Sequence, residues 1–450
     1  MKLIFGFDLI SYNGPIPNCL PPKFLETLYD GGEFSINNSR NHFLEKWKCD
    51  IPLFVNHDYD SFIDKKSIYD ILQDKKNGKN YTWFYLIEPH SGLDLFFGNH
   101  PVHDQFLLER VPKIVLNEIK NGNCKLLINY TVDGGSNINE KNFFKIFNYT
   151  RENDLKDENV YLIFSDFELK NNIKKLGFNY NVFDYNFYLF LKSHEFNKLI
   201  SLDNNINAVQ SEQEFLENIN KPKKDFLLLT RHWKKHRIFL LNKLHRLGLE
   251  NNLVSWEKSY YNEKIIEDLL KNDPNYEFAK ILKEKSNYVD VDDLINVMGI
   301  NNENKKIYTD TFLSIVAETI FYKEDLNFPS GYLSEKIWKP IGHLQPFILA
   351  GPANSLKYIK ERYGFKTFHP LIDETYDLEY DDDLRLRMIE NEMEKFSKKS
   401  LNDKIEFMQQ TKDICLFNRN LFLNYGVING HNHEIRKIYK FLHGENCSTI

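Results

Sequence analysis

The sequence predicts an α/β protein made of two doubly wound, Rossmann-like domains facing a cleft, with a helical C-terminal extension. Three observations predict it. Short β-branched or aromatic runs alternate with longer polar-apolar stretches, the pattern of βα units around a parallel sheet. That alternation lapses between Lys198 and Lys224 and then restarts. The length, 450 residues, exceeds one ordinary domain of about 150 and is long enough for more than one core.

In chain order, the first half predicts strands at Lys2 to Leu9, Ile51 to Val55, Thr82 to Ile87, Lys125 to Tyr130 and Val160 to Phe164. The polar stretch SLDNNINAVQSEQEFLENINKPKK then marks a domain boundary near residue 210. Beyond it, Asp225 to Thr230 reads as a buried strand, and His236 to Leu247 as a helix. Ile238, Leu240, Leu241, Leu244 and Leu247 form the helix's apolar stripe, and Gly248 sits where a C-terminal cap belongs. A strand near Asn252 to Trp256 follows, then acidic helical material to about Val297. The apolar run Thr311 to Ala317 fits either strand or helix. Ser334 to His343 reads as a helix, Pro346 to Leu349 as a strand and Ser355 to Tyr363 as a helix. From Asp383 the chain is charged, with Glu and Lys at i,i+4 spacing, the pattern of solvated helix faces. The expected organisation is residues 1–210 as an acceptor-side domain, 211–380 as a ligand-binding domain and 381–450 as a helical segment packing on both.

Composition narrows the function. Hydrophobic residues make up 42% and charged residues 27%, as in an ordinary folded chain. Lys plus Arg number 58 against 64 Asp plus Glu, and the net charge of −6 argues against a dedicated nucleic-acid binder. The aromatic content of 15% accompanies an excess of Asn, Lys and Ile, which AT-rich codons explain without a stacking surface. Five scattered cysteines without a CxxC pair fit a reducing compartment. The N-terminal apolar stretch is broken by Gly6 and Asp8, unlike a signal peptide, and no run of about 18 apolar residues occurs. These features predict a cytoplasmic protein with no membrane span.

Ligands of doubly wound sheets bind outside the carboxyl ends of the strands, so the loops there hold the candidate chemistry. One is Thr230-Arg-His-Trp-Lys-Lys-His-Arg237, which crowds Arg231 and Arg237 with other basic side chains at a helix N-terminus. The helix dipole is already positive there, so the cluster implies either solvent exposure or an anion to neutralise it. A second is Ser334-Glu335-Lys336. A capped amphipathic helix accounts for Ser334 and Glu335, but not for Lys336 near its N-terminus or for Pro340 just beyond. A buried run then ends at Gly351-Pro352, where a backbone can approach a ligand closely.

The stretch Leu333-Ser-Glu-Lys-Ile-Trp-Lys-Pro-Ile, followed by Gln345-Pro-Phe-Ile-Leu-Ala-Gly-Pro, Gly364-Phe-Lys-Thr-Phe and Thr375-Tyr-Asp377, resembles the nucleotide-sugar-binding half of GT-B glycosyltransferases. The α-1,3-fucosyltransferase group and its viral and bacterial relatives resemble it most. The resemblance spans roughly Asp225 to Asp377. It implies that Arg237 and Lys336 meet a pyrophosphate and that Glu335 accepts from ribose hydroxyls. Trp338, Lys339 and Pro340 depart from that group's small residues after Glu-Lys.

The implied activity is transfer of a sugar from a nucleoside diphosphate-sugar, GDP-fucose-like by resemblance, to a hydroxyl of a glycan or other acceptor. A base must then take the acceptor proton. Strand-end candidates are Asp133, ahead of Gly134-Gly135, and Glu88, with His90 and Asp166 behind them. No cofactor or metal is expected. The pairs Asp58/Asp60 and Asp290/Asp292 match a short cation motif that chance supplies in an acidic chain, and His100, His103 and Asp104 lack a fourth ligand nearby. Two alternatives share the scaffold: a nucleotide- or glycan-binding protein without transfer, and a nucleotide-sugar epimerase.

Overall fold

The computed structural model describes residues 3–7, 63–87, 108, 111–130, 140–201, 209–221, 223–230, 234–256, 302–322, 331–426 and 436–444. By its internal contacts the chain divides into two compact units. Unit 1 comprises residues 1–187, 326–332 and 432–450, and unit 2 comprises 188–325 and 333–431. The division falls at Phe187, upstream of the expected 210, and residues 381–450 are shared between the units.

Unit 1 is built on a six-stranded sheet of β1 (Leu3–Phe7), β2 (Ile63–Ser67), β3 (Trp83–Ile87), β4 (Cys124–Tyr130), β5 (Val160–Phe164) and β6 (Asn181–Asp184). Every neighbouring pair is parallel, in the order β2-β1-β3-β4-β5-β6. β3 and β5 are buried along their whole length, as a parallel sheet covered on both faces requires. Gly6 lets the Trp83 ring lie across β1; a Cβ there would run into the indole. Helices such as Lys113–Lys120, with Val115 and Ile119 turned inward, supply the cover. Residues 436–442 add another helix, whose Phe441 packs on Tyr161 of β5 and Phe183 of β6.

Unit 2 holds a four-stranded parallel sheet of β7 (Lys224–Leu229), β8 (Leu253–Ser255), β9 (Thr311–Ala317) and β10 (Phe347–Ala350), in the order β10-β9-β7-β8. From β7 the chain moves outward to β8, and from β9 it moves the opposite way to β10. The strand order therefore reverses between β7 and β9, which makes their carboxyl ends a topological switch point. The ambiguous run Thr311 to Ala317 is a strand buried at all seven positions.

The helices of unit 2 that matter below are α1 (Glu212–Asn218), α2 (Lys235–Arg246), α3 (Trp338–Gly342), α4 (Ser355–Tyr363), α5 (Asp382–Ser397) and α6 (Leu401–Gly426). The polar stretch expected to mark the domain boundary contains α1, which a reciprocal capping box of Ser211 and Glu214 starts. The helix expected over Ser334 to His343 is shortened to α3. Ser334 caps no helix, because its backbone N–H and hydroxyl both donate to the Glu318 carboxylate. The charged C-terminal helices are also more than solvated faces: α5 buries Ile389, Met393 and Phe396, and α6 buries Met408, Cys415 and Phe422. Among the described residues no helix is long and apolar enough to cross a membrane.

Candidate functional site

The end of β9 poses a problem of unmet acceptors. Buried backbone carbonyls require donors, and beyond Ala317 the β7 ladder no longer supplies them. The first turn of α2 does. Arg237 Nη2 donates to the carbonyls of Ala317 (3.2 Å) and Glu318 (3.0 Å), and His236 Nε2 lies 3.0 Å from the same Glu318 carbonyl. Since a carbonyl only accepts, the proton of His236 sits on Nε2. The imidazole stacks on Phe321, with ring centroids 5.1 Å apart. Ahead of the helix, Lys234 Nζ donates to the Thr319 carbonyl.

Glu318 gathers the remaining elements. Its backbone N–H donates to the Ala350 carbonyl of β10 at 2.9 Å. Its side chain is wholly buried, and Oε2 accepts from Ser334 N (3.1 Å), Ser334 Oγ (2.5 Å) and Thr319 N (3.2 Å). Oε1 has no hydrogen-bond partner among the described residues. The carboxylate can lie there because Gly351 leaves room: a Cβ at that position would come within 3.3 Å of Glu318 Cγ.

Lys336 reaches back over this turn. Its ammonium donates to Thr319 Oγ1 (3.1 Å), Ser334 Oγ (3.0 Å) and Glu335 Oε1 (3.0 Å). The Ser334 hydroxyl thus gives its proton to Glu318 and receives one from Lys336. The Lys336 and Glu335 side chains remain about a quarter exposed, at 26% and 27%. They lie above a cluster in which His236, Arg237, Glu318 and Ser334 are buried.

The two carboxylates are pushed apart. Burial raises Glu335, but the ammonium groups of Lys336 and Lys339 outweigh it and bring its carboxyl down to about 2. Burial also raises Glu318, and there it prevails over the opposing pull of Lys336 and the Ser334 hydrogen bonds. Lys339 is lowered to about 8 by burial, against the attraction of Glu335. Arg237, buried to 3% exposure, is lowered by desolvation to about 10 and stays charged at neutral pH.

Of the residues expected from sequence, Arg237, Ser334, Glu335, Lys336 and Gly351 converge on this one place. Arg231, Asp133 and Glu88 lie outside the described residues, as do His90, His100, His103, Asp104 and both Asp-x-Asp pairs. Asp166 lies at the end of β5 in unit 1, where its carboxylate accepts from the N–H groups of Glu168 and Gly331. Glu318 and Thr319 were missed. Their signal was an acidic residue directly after a seven-residue apolar run, hidden while that run could be read as a helix.

No protein-family model matches this chain, and neither does any curated protein or solved structure.

Proposed function

We propose that the chain is a metal-independent GT-B-type glycosyltransferase, taking a nucleoside diphosphate-sugar as donor and a hydroxyl of a glycan or other molecule as acceptor. The observation that carries this reading is the position of Lys336. It is a partly exposed ammonium beside the N-terminus of α2, at the switch point of a parallel sheet, with the guanidinium of Arg237 buried beneath. Glu335 is the anion now held by Lys336. A phosphate oxygen taking its place would keep the ammonium satisfied and release the carboxylate, ionised at neutral pH, for the ribose hydroxyls. Arg237 acts in this scheme through its charge, since its Nη2 holds the end of β9.

Transfer breaks the bond between the sugar's anomeric carbon and the diphosphate oxygen and forms one to the acceptor oxygen. The departing diphosphate carries the negative charge that Lys336 and Arg237 oppose, while Asp133 or Glu88 takes the acceptor proton. Arg231, a few residues ahead of α2 in the sequence, is assigned to the same positive field. A thermal-shift series with GDP, UDP, CDP and dTDP tests the reading. One of them at a hundred times its Kd stabilises the protein by about 2.7 kcal/mol. Lys336→Ala removes that shift and leaves the ligand-free melting temperature in place. Absence of a shift with all four nucleotides overturns the proposal.

A further inference from the structure

We propose that Glu318 is the positioning residue of this site. Resting on the donor-site reading above, the inference assigns to Glu318 the task of holding the Ser334 to Lys336 turn at a fixed distance from the first turn of α2. The geometry is that of a junction. Its backbone carbonyl takes His236 and Arg237 from α2, its N–H continues the ladder to β10, and its side chain takes Ser334. Glu318 thus joins the helix, both strand ends and the turn. The Ser334 hydroxyl then passes the constraint on, because it is also an acceptor for Lys336 Nζ.

The mechanical reason is that the turn has no regular structure of its own. α3 begins only at Trp338, so Ser334, Glu335 and Lys336 lie ahead of it, in a turn and not in the helix. A buried carboxylate accepting from one backbone N–H and one hydroxyl supplies a restraint from the side. One oxygen does the holding: Oε2 carries all three hydrogen bonds and Oε1 none. An amide oxygen can therefore replace it, and an apolar isostere cannot.

The test compares Glu318→Gln with Glu318→Met in the full chain, by hydrogen exchange at the Ser334 amide and by calorimetry with the tightest of the four nucleoside diphosphates. Neither variant touches the backbone carbonyl that holds α2. Loss of the acceptor in Glu318→Met speeds Ser334 exchange and raises the nucleotide Kd, each by about tenfold or more, whereas Glu318→Gln restores both to within about threefold of wild type. Restoration by the amide separates positioning from mere charge, and from volume, which methionine keeps. Should Glu318→Met fail to fold, Ser334→Ala takes its place. It weakens nucleotide binding, and added to Glu318→Gln it weakens binding by less than the sum of the two single effects.

Unchanged Ser334 exchange in Glu318→Met overturns the assignment, as does equal nucleotide affinity in wild type and Glu318→Met. Exchange that follows the expectation while no nucleotide binds the wild type leaves Glu318 as the holder of the turn and removes only the donor reading.

Discussion

Three buried groups in unit 2 tie its stability to pH with opposite signs. Burial, reinforced by Arg419 and Lys339, lowers His343 to about 3, and its ring lies stacked on Tyr308 at 4.3 Å. Burial and the charge of Arg237 likewise hold His236 well below the usual imidazole range. The folded state therefore binds fewer protons than the unfolded chain below about pH 6.5, and stability falls as the pH drops through that window. Each histidine contributes a slope of about 1.4 kcal/mol per pH unit there. Urea titrations between pH 4 and 6.5 should show His343→Phe losing one such increment of slope; an unchanged slope would place the effect elsewhere. Asp377 runs the other way. Burial lifts it to about 6 against hydrogen bonds from the Leu356 and Lys357 amides at the start of α4. Its contribution is complete below the ordinary aspartate range and is lost as the pH rises to about 6. Asp377 accepts at both oxygens, so Asp377→Asn removes the buried charge but sets an NH2 group against one of the two donating amides; the loss of stability between about pH 4 and 6 should therefore disappear in this variant, measured against wild type by the same titration.

At the scale of the element, legibility followed burial. The central strands β3, β4, β5 and β7 are apolar runs that declare themselves in the sequence, whereas the equally apolar run of β9 left strand and helix open. β2 and β6 are the two edges of the first sheet, and they read as Ile-Asp-Lys-Lys-Ser and Asn-Val-Phe-Asp. Edge strands carry charge because it discourages pairing with other chains, and the same charge hides them from pattern reading. The turn at Ser334 was illegible for another reason. A Ser-x-x pattern before an amphipathic stretch is a fair helix start, and only a distant carboxylate, Glu318, diverts it. Asp and Glu after buried strands are common, so nothing local distinguished Glu318 from a turn residue. One element depends on a missing side chain. Gly6→Ala drives a methyl into the Trp83 ring between β1 and β3 and should destabilise unit 1 by about 1–3 kcal/mol. Gly6→Ala combined with Trp83→Phe should recover part of that loss in thermal denaturation; full additivity of the two losses would dismiss the clash.

For the whole molecule, the net charge of −6 says little about the site, where Lys234, Arg237, Lys336 and Lys339 gather around two carboxylates. An average over 450 residues conceals a local field of the other sign. The division into units was the least legible feature, since a domain boundary read from composition assumes that each domain is one stretch of chain. Unit 1 instead recruits residues 326–332 and 432–450, both far along the sequence. Removing residues 432–450 should therefore loosen unit 1, not unit 2. Hydrogen exchange should speed up in β5 and β6, from which Phe441 is withdrawn, and stay unchanged in β7 and β9. Equal loosening of both sheets would contradict that expectation.

The seating of Phe441 on Tyr161 and Phe183 also sets an order of events during synthesis. Translation delivers β1 to β6 first, then all of unit 2, and only afterwards the helix at 436–442. A nascent first sheet can pair its strands early, yet the aromatic patch on β5 and β6 lacks the cover of Phe441 until that helix has been made. Through most of the time on the ribosome the half-built protein presents Tyr161 and Phe183 to its surroundings, a vulnerability to aggregation that the finished fold conceals.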